Sequence, residues 1–258
     1  MKENLKELYT KIQENLAQNP EKRFAVFDFD NTCILNDSGE AVLAHLCRNL
    51  LLRDPFLLEE DSELNEEYHK KVFETYHGFS NKNEIINAYF LCAKVFSGFS
   101  PEEVRDITKQ VIQSEGNQLG TQECYGMTIP HGITLQTQVI ELIDFLKKEG
   151  VAVWIISASQ QVSVKTTMDH FGLSAQLIGI NNEIKDGKFT RTILEPTPVV
   201  KGKVLCMRTI IDSASNPIIV VDDSTTGLPI LTTADIPVVV GQNNALIKIA
   251  EEKAWFMI

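Results

Sequence analysis

No apolar run in the chain reaches the roughly 18 residues that a membrane-spanning helix requires, and the amino terminus has neither the basic start nor the apolar stretch of a secretory leader. A protein that works away from membranes, in the cytoplasm, is therefore expected. Cations are scarce as well. Against 35 Asp and Glu stand only 24 Lys and Arg, giving a formal charge of -11 and a pI near 5.0. Nucleic-acid surfaces need clustered Lys and Arg, so that balance argues against polyanion binding. Five cysteines, Cys33, Cys47, Cys92, Cys124 and Cys206, are odd in number and lack metal-type spacing, which points to reduced thiols. Internal repeats and low-complexity linkers are missing too. What remains is a chain of 258 residues, 43% apolar and 23% charged. That is enough for one large domain, or for a core carrying a smaller appended one.

The patterning divides the chain. Leu5, Leu8, Ile12 and Leu16 give the first segment a helical period. RFAVFD (23–28) is a short apolar run ending in a carboxylate, the mark of a buried strand that feeds a loop. From about Asp37 to about Thr128 strand signals are few and helix formers and aromatics abound. AVLAHLCRNLLL and NEIINAYFLCAKVF have helical spacing, and Ser100-Pro101-Glu102-Glu103 reads as a helix start. This block, 37–128, is expected to be an all-helical insert. Residues 1–36 and 129–258 form the rest, where the pattern turns to alternating helix and strand. LQTQVIELIDFLKK puts Leu135, Val139, Leu142, Ile143 and Leu146 on one helical face, stopped by Gly150. VAVWIIS, QLIGI, PIIVVDD and IPVVVG read as further strands, and Asp186-Gly187 as a hairpin turn. Strands alternating with helices imply an α/β fold, a doubly wound and mostly parallel sheet.

In such sheets ligands bind outside the carboxyl ends of the strands. Asp28, Ser157, Asp222 and Asp223 all end apolar runs, so one rim is expected to collect them. Asp28 and Asp30, two apart, suit a carboxylate nucleophile and a proton carrier for phosphoryl transfer in two displacements. Two acids repel a phosphoryl group, so cations are required. Mg2+ prefers oxygen ligands, and Asp28, Asp30 and Asp223 offer them without His or Cys. Lys201, opening KGKVLCMRTII, offers fixed positive charge, and the Ser157 hydroxyl can donate to a phosphoryl oxygen.

DFDNT, an apolar strand ending in Ser, a downstream Lys-Gly and IIVVDDS together resemble the four motifs of the haloacid dehalogenase (HAD) superfamily of phosphatases. The insert after the first strand looks like that superfamily's helical cap on a Rossmann-like core. Within it the chain is similar to the phosphoserine phosphatase-like branch, and especially to phosphorylcholine phosphatase relatives. Those share DxDNT, an acidic stretch here running Asp37-Ser38-Gly39-Glu40-Ala41, and Ser157-Ala158-Ser159. The resemblance implies a Mg2+-dependent phosphatase for a small phosphorylated metabolite, phosphoserine-like or phosphocholine-like, working through an aspartyl-phosphate. Asp28 would be nucleophile and metal ligand, and Asp30 general acid/base with its carbonyl on the metal. Thr32, Ser157 and Ala158 would shape the phosphate site, Lys201 would stabilise charge, and Asp223 would ligate Mg2+. The usual fourth motif is Gly-Asp-x-x-x-Asp. Here it reads Asp222-Asp223-Ser224-Thr225-Thr226-Gly227, so the trailing acid is missing and Asp222 is expected to take part of the metal shell.

Plainer readings stand beside these. Lys203 rivals Lys201, although the Lys-Gly order favours Lys201. Asp37 and Glu40 either start a helix or hold the cationic head of a substrate. Tyr68, Phe73, Tyr76, Phe79, Tyr89, Phe90, Phe96 and Phe99 form either a cation cage or, the better account, helical core. Cys33 lies beside the catalytic loop with nothing to activate it. His131 and Gly132 fall where the insert returns to the core. Arg48, Arg53 and Arg105 could meet a carboxylate but match no family position. A phosphotransferase or mutase, and a weakly active binding protein of the same superfamily, are the alternatives. The oligomeric state is not legible.

Overall fold

A computed structural model describes the chain except residues 1, 22–23, 59–61 and 82–83, together with the side chains of 2–4 and 80–81. Arg23 of the first expected strand and Asn83 of the second insert helix thus lie outside the described residues. The chain opens with α1 (Lys2–Gln18), then β1 (Phe24–Phe27) and a short β2 (Ile34–Leu35). The insert follows with α2 (Ser38–Arg48), α3 (Glu66–Asn81), α4 (Ile85–Lys94) and α5 (Pro101–Glu115), and then a hairpin of β3 (Gly120–Cys124) and β4 (Met127–His131). After β5 (Thr134–Leu135) come α6 (Thr137–Lys148), β6 (Ala152–Gln160), α7 (Gln161–His170), β7 (Gln176–Lys185) and β8 (Lys188–Leu194). The remainder is α8 (Lys201–Cys206), β9 (Ile219–Asp222), α9 (Leu228–Leu231), β10 (Ile236–Val239), α10 (Asn244–Lys253) and β11 (Phe256–Met257).

Seven strands form one sheet in the order β11-β10-β9-β1-β6-β7-β8. Every pair is parallel except β7–β8, the hairpin that turns at Asp186-Gly187. The expected mostly parallel α/β sheet is therefore present. Strand β1 is buried along its whole length because both faces are covered. Its side chains alternate as a strand requires. Ala25 and Phe27 pack with Leu8 and Ile12 of α1 and with Leu142 and Ile143 of α6. Phe24 and Val26 pack on the other face with Met207, Leu231 and Leu246. From β1 the chain builds outward on one side through β6 and β7 and later on the other through β9 and β10. This leaves a switch point at the carboxyl end of β1, beside β9.

The insert leaves and rejoins the core through a two-stranded neck in which Ile34 pairs with Leu135 and Leu35 with Thr134. Asn36 reinforces the neck, its Nδ2 donating to the carbonyls of His131 at 3.2 Å and Gly132 at 2.8 Å. Gly132 has φ +86°, and a Cβ there would sit 2.3 Å from the Gln118 carbonyl oxygen, so the return demands glycine. Helix α5 begins as the sequence indicates, with the Ser100–Glu103 capping box and Pro101. The wholly helical reading of 37–128 needs one correction. The β3–β4 hairpin closes the insert and crosses its expected end, turning at Tyr125 and Gly126, both with positive φ. Its strands are short and mostly polar, and strands without an alternating apolar pattern are invisible to a periodicity argument. The insert also docks on the β7–β8 hairpin. Gly98 N donates to Phe189 O at 2.9 Å, Phe189 N to Phe99 O at 2.8 Å, and Arg191 pairs with Asp54 at 3.0 Å.

Candidate active site

The carboxyl ends of β1, β6 and β9 and the start of α2 surround a cavity of about 60 Å3 lined by Asp28, Asp30, Asp37, Ser157, Lys203 and Asp223, among others. The strand ends thus bring together acids, a hydroxyl and a lysine that lie far apart in the chain. Asp28 leaves β1 with its N–H donating to Val221 O of β9 at 2.9 Å, which fixes the start of the loop.

The cation beside Asp28 is Lys203, not Lys201. Lys203 Nζ lies 3.0 Å from Asp28 Oδ1 and 2.9 Å from Asp222 Oδ2, and the side chain is 3% exposed. Lys201 is exposed at the start of α8. The helix explains the exchange: Lys203 shares its face with the buried Cys206 and Met207, three and four residues on, whereas Lys201 shares its face with Leu205, which is 55% exposed. The Lys-Gly order has a packing origin, because a Cβ on Gly202 would lie 1.9 Å from the Thr197 carbonyl oxygen. Burial by itself would lower the Lys203 ammonium, but Asp222 and Asp28 outweigh it and hold the group well above its usual range.

Asp30 is held at both oxygens. Oδ1 accepts from Ser38 N at 2.8 Å and Ser38 Oγ at 2.6 Å, and Oδ2 accepts from Ser159 Oγ at 2.7 Å. Burial, and then the nearby Asp37, raise Asp30 to about 7. A carboxyl titrating there can give a proton and take it back at neutral pH. Burial likewise raises Asp28 to about 7 and Asp223 to about 8, with neighbouring carboxylates adding to the effect. Ser157 Oγ accepts from Ser159 N at 3.1 Å, which orients the hydroxyl beside Asp28.

Three further expected residues fall elsewhere. Thr32 is buried and donates to Asp223 Oδ1 at 3.3 Å, so it steadies an acid and does not line the cavity. Glu40 is also off the cavity, 3.5 Å from His77 Nε2. Asp222 is 1% exposed and behind the cavity wall. Asp37 does line the cavity and also caps α2, accepting from Glu40 N at 2.9 Å. Ala158 lines it as well. Cys33 is buried, donates to Asp28 O at 3.1 Å, and is raised well above the usual thiol range by burial. Of the aromatics, Tyr68, Phe73, Tyr76, Phe96 and Phe99 are core, and Tyr89 alone of the eight lines the cavity. Arg48 hydrogen-bonds Gln122, Arg53 pairs with Glu103, and Arg105 is exposed. Ser38 and Ser159 entered the sequence reading only as members of longer stretches, and Tyr89 only among eight aromatics of the insert; the contacts of the two serines with Asp30 arise only in the fold.

One atom from each of Asp28, Asp222 and Asp223 lies within 4.8 Å of the others. Three acids with one lysine leave excess negative charge, and an all-oxygen donor set suits a hard divalent cation. The residues therefore fit Mg2+.

The family model of haloacid dehalogenase-like hydrolases matches residues 25–220, and the chain belongs to that family. Solved structures share the fold at low identity. A protein of unknown function from Anaerococcus prevotii DSM 20548 is 18% identical with a TM-score of 0.73, the match covering 99% of this chain and 91% of that one. One from Bordetella pertussis Tohama I is 17% identical with a TM-score of 0.71 over 92% and 98% of the two chains. A substrate-bound phosphoserine phosphatase is 17% identical with a TM-score of 0.54 over 92% and 93%. None of the curated proteins compared with the chain matches it.

Proposed function

We propose that this hydrolase is a Mg2+-dependent phosphatase that releases phosphate from a small metabolite through an aspartyl-phosphate on Asp28. The observation that carries the reading is the pairing of Asp28 with Lys203 on one wall of the cavity while Asp30 stands beside it with both oxygens held. Asp28 attacks phosphorus, and Lys203 offsets the charge that gathers on the phosphoryl oxygens. Ser157 donates to one of those oxygens. Asp30 protonates the leaving alcohol, then takes a proton from the water that hydrolyses the acyl phosphate. Asp28 and Asp223 would hold Mg2+, with the Asp30 carbonyl as the resemblance implies. The ion would supply positive charge against the phosphoryl group. Asp222, paired with Lys203, keeps a second acid beside Asp223 although Gly227 stands where the trailing acid is usual. That pair of acids favours the enzyme over a weakly active binding protein of the same superfamily.

The walls also favour a substrate class. Among the described residues Lys203 is the only lysine or arginine on the cavity lining, so a substrate carboxylate finds no cation among them beyond the one the phosphate needs. Asp37 and Tyr89 face the same space and suit an ammonium group. A phosphorylated amino alcohol, phosphocholine-like or phosphoethanolamine-like, fits these walls better than phosphoserine. The five unpaired thiols accord with work in the reducing cytoplasm. The test is a phosphate-release screen over phosphorylated metabolites with Mg2+, repeated with Asp28→Asn. Release that is chelator-sensitive and lost in Asp28→Asn is expected; release that survives the substitution would refute the mechanism.

A further inference from the structure

The cavity is too small to take in an ester unless part of its surround moves. At about 60 Å3 it falls well below the roughly 300–1,000 Å3 of ordinary ligand pockets. The insert above it is tied down along one side of the sheet. Helix α5 packs on α7, where Val104, Val111 and Ile112 share a core with Val164 and Met168. Inside that contact the buried Thr108 hydroxyl donates to the buried Ser163 hydroxyl at 3.2 Å. Helix α4 lies on β7, where Asn182, 3% exposed, donates through Nδ2 to Ala93 O at 3.1 Å. The hairpin adds a clasp, in which Arg191 pairs with Asp54 and also donates to Phe56 O at 2.9 Å. These anchors stand on β7, β8 and the α7 that joins β6 to β7, all on one side of β1, whereas β9 lies on the other. Lifting the insert as one body would strip buried hydroxyls, a buried amide and an apolar core of their partners together.

Toward β9 the contact is of another kind. Tyr89 of α4 lines the cavity, and its hydroxyl hydrogen-bonds the Thr226 side chain in the turn after β9. The Thr226 hydroxyl in turn shares a hydrogen bond of 2.7 Å with that of Ser224, which also lines the cavity. A single side chain changing rotamer moves faster, and breaks far less, than a docked layer of helices.

We propose that the insert is a roof fixed to the β6–β7–β8 side of the sheet, and that the cavity opens through Tyr89, which leaves Thr226 to let ligands pass beside the turn after β9. Tyr89 is then a gate, and the two-stranded neck is a strut that does not hinge. The proposal rests on the phosphatase reading only in taking this cavity as the place where the phosphate binds.

The gate is tested by the exit of labelled inorganic phosphate from the protein in Mg2+, followed by rapid filtration. Tyr89→Phe and Thr226→Val each remove the bridging hydrogen bond and should speed exit about fivefold. The double variant should be no faster than either single one. Unchanged exit in both would overturn the gate, because a Tyr89 that only lines the wall does not act through Thr226. The roof is tested by a staple. Two hydroxyls 3.2 Å apart suit a disulfide, so Thr108→Cys/Ser163→Cys is oxidised with oxidised glutathione and compared with its reduced form, the wild type serving as control for the native thiols. Equal phosphate exit in the two forms is expected; exit blocked by oxidation and restored by reduction would overturn the fixed roof. Arg191→Ala loosens the hairpin side and should lower Tm without speeding exit, whereas faster exit would show that the insert lifts. Should the cysteine pair fail to fold, hydrogen exchange on the wild type decides. Amides of α5 and α7 protected equally with and without phosphate support the roof, and protection gained only with phosphate overturns it. A wild type that bound phosphate but hydrolysed no ester would sink the phosphatase reading and leave these measurements standing. One that bound no phosphate would overturn the gate as well.

Discussion

Lys203 gives the strand-end wall of the cavity a fixed cation between Asp28 and Asp222, whereas on the insert side Asp37, on the lining, and Glu40, off it, pair with no lysine or arginine among the described residues. Both walls are acidic and buried, yet their acids are in different circumstances. At the strand ends the opposed charges and the Ser224, Ser38 and Ser159 donors hold geometry before any ligand arrives. On the insert side burial and mutual repulsion raise Asp37 to about 6, and burial raises Glu40 to about 7. Burial raises Asp28 and Asp30 to about 7 and Asp223 to about 8 as well, so what separates the two walls is the fixed cation at the strand ends. The first wall is built for chemistry and the second is poised for recognition.

The largest test of that contrast is to remove the cation. Lys203→Met should cut kcat by about 10^3-fold and cost roughly 3–5 kcal/mol by leaving two buried carboxylates unpaired. Lys201→Met should stay within about 0.5 kcal/mol of the wild type in denaturant melts and turn over normally. Equal effects at the two positions would break the account of the strand-end wall.

A smaller effect sharpens the role of Asp30. Ser159→Ala removes the donor to Oδ2 and should slow alkyl phosphates about tenfold, while p-nitrophenyl phosphate, whose leaving group needs little protonation, slows about twofold. Uniform slowing of both would show that Ser159 merely supports the strand end.

On the insert wall, Asp37→Asn keeps the helix cap but removes the charge. KM for amine-bearing phosphomonoesters should rise about fivefold, near 1 kcal/mol, with kcat little changed. A loss confined to kcat would move Asp37 from recognition to catalysis.

The smallest effect is one of pH. Asp28, Asp30 and Glu40 near 7 and Asp223 near 8 all titrate above their ordinary carboxylate range. The folded protein therefore binds more protons than the unfolded one across about pH 6 to 8.5, so stability falls as pH rises through that window. Chelated protein should melt a few degrees lower at pH 8.5 than at 6.5, and Mg2+ should flatten the slope. Burial lowers His45 and His77, which opposes the trend only below their ordinary value of 6.5. A Tm that climbed from pH 6.5 to 8.5 without metal would contradict the burial of unpaired acid at this site.

Much of the core was legible because its signals are local. A run such as FAVF or IVV, apolar at every position, reads as a strand covered on both faces. Asp28, directly after FAVF, and Asp223, one residue beyond IVV, could be placed at one rim from topology alone. The KGK segment shows where legibility thinned. Its helical period already put Lys203 with Cys206 and Met207, but the Lys-Gly order pointed to Lys201, and only the approach of Gly202 to Thr197 explains that glycine. The β3–β4 hairpin escaped because its short polar strands carry no alternation.

The sequence by itself determined that acids would end buried parallel strands and that a mainly helical segment would interrupt them, because apolar runs, caps and periods act within a few residues. Which lysine meets Asp28, which acid holds that lysine, and which hydroxyls hold Asp30 were decided by the tertiary structure. Those contacts join residues as far apart as Asp30 and Ser159, separated by 129 positions, or Thr32 and Asp223, separated by 191. No local pattern encodes a distance between segments that meet only after the sheet has closed around them.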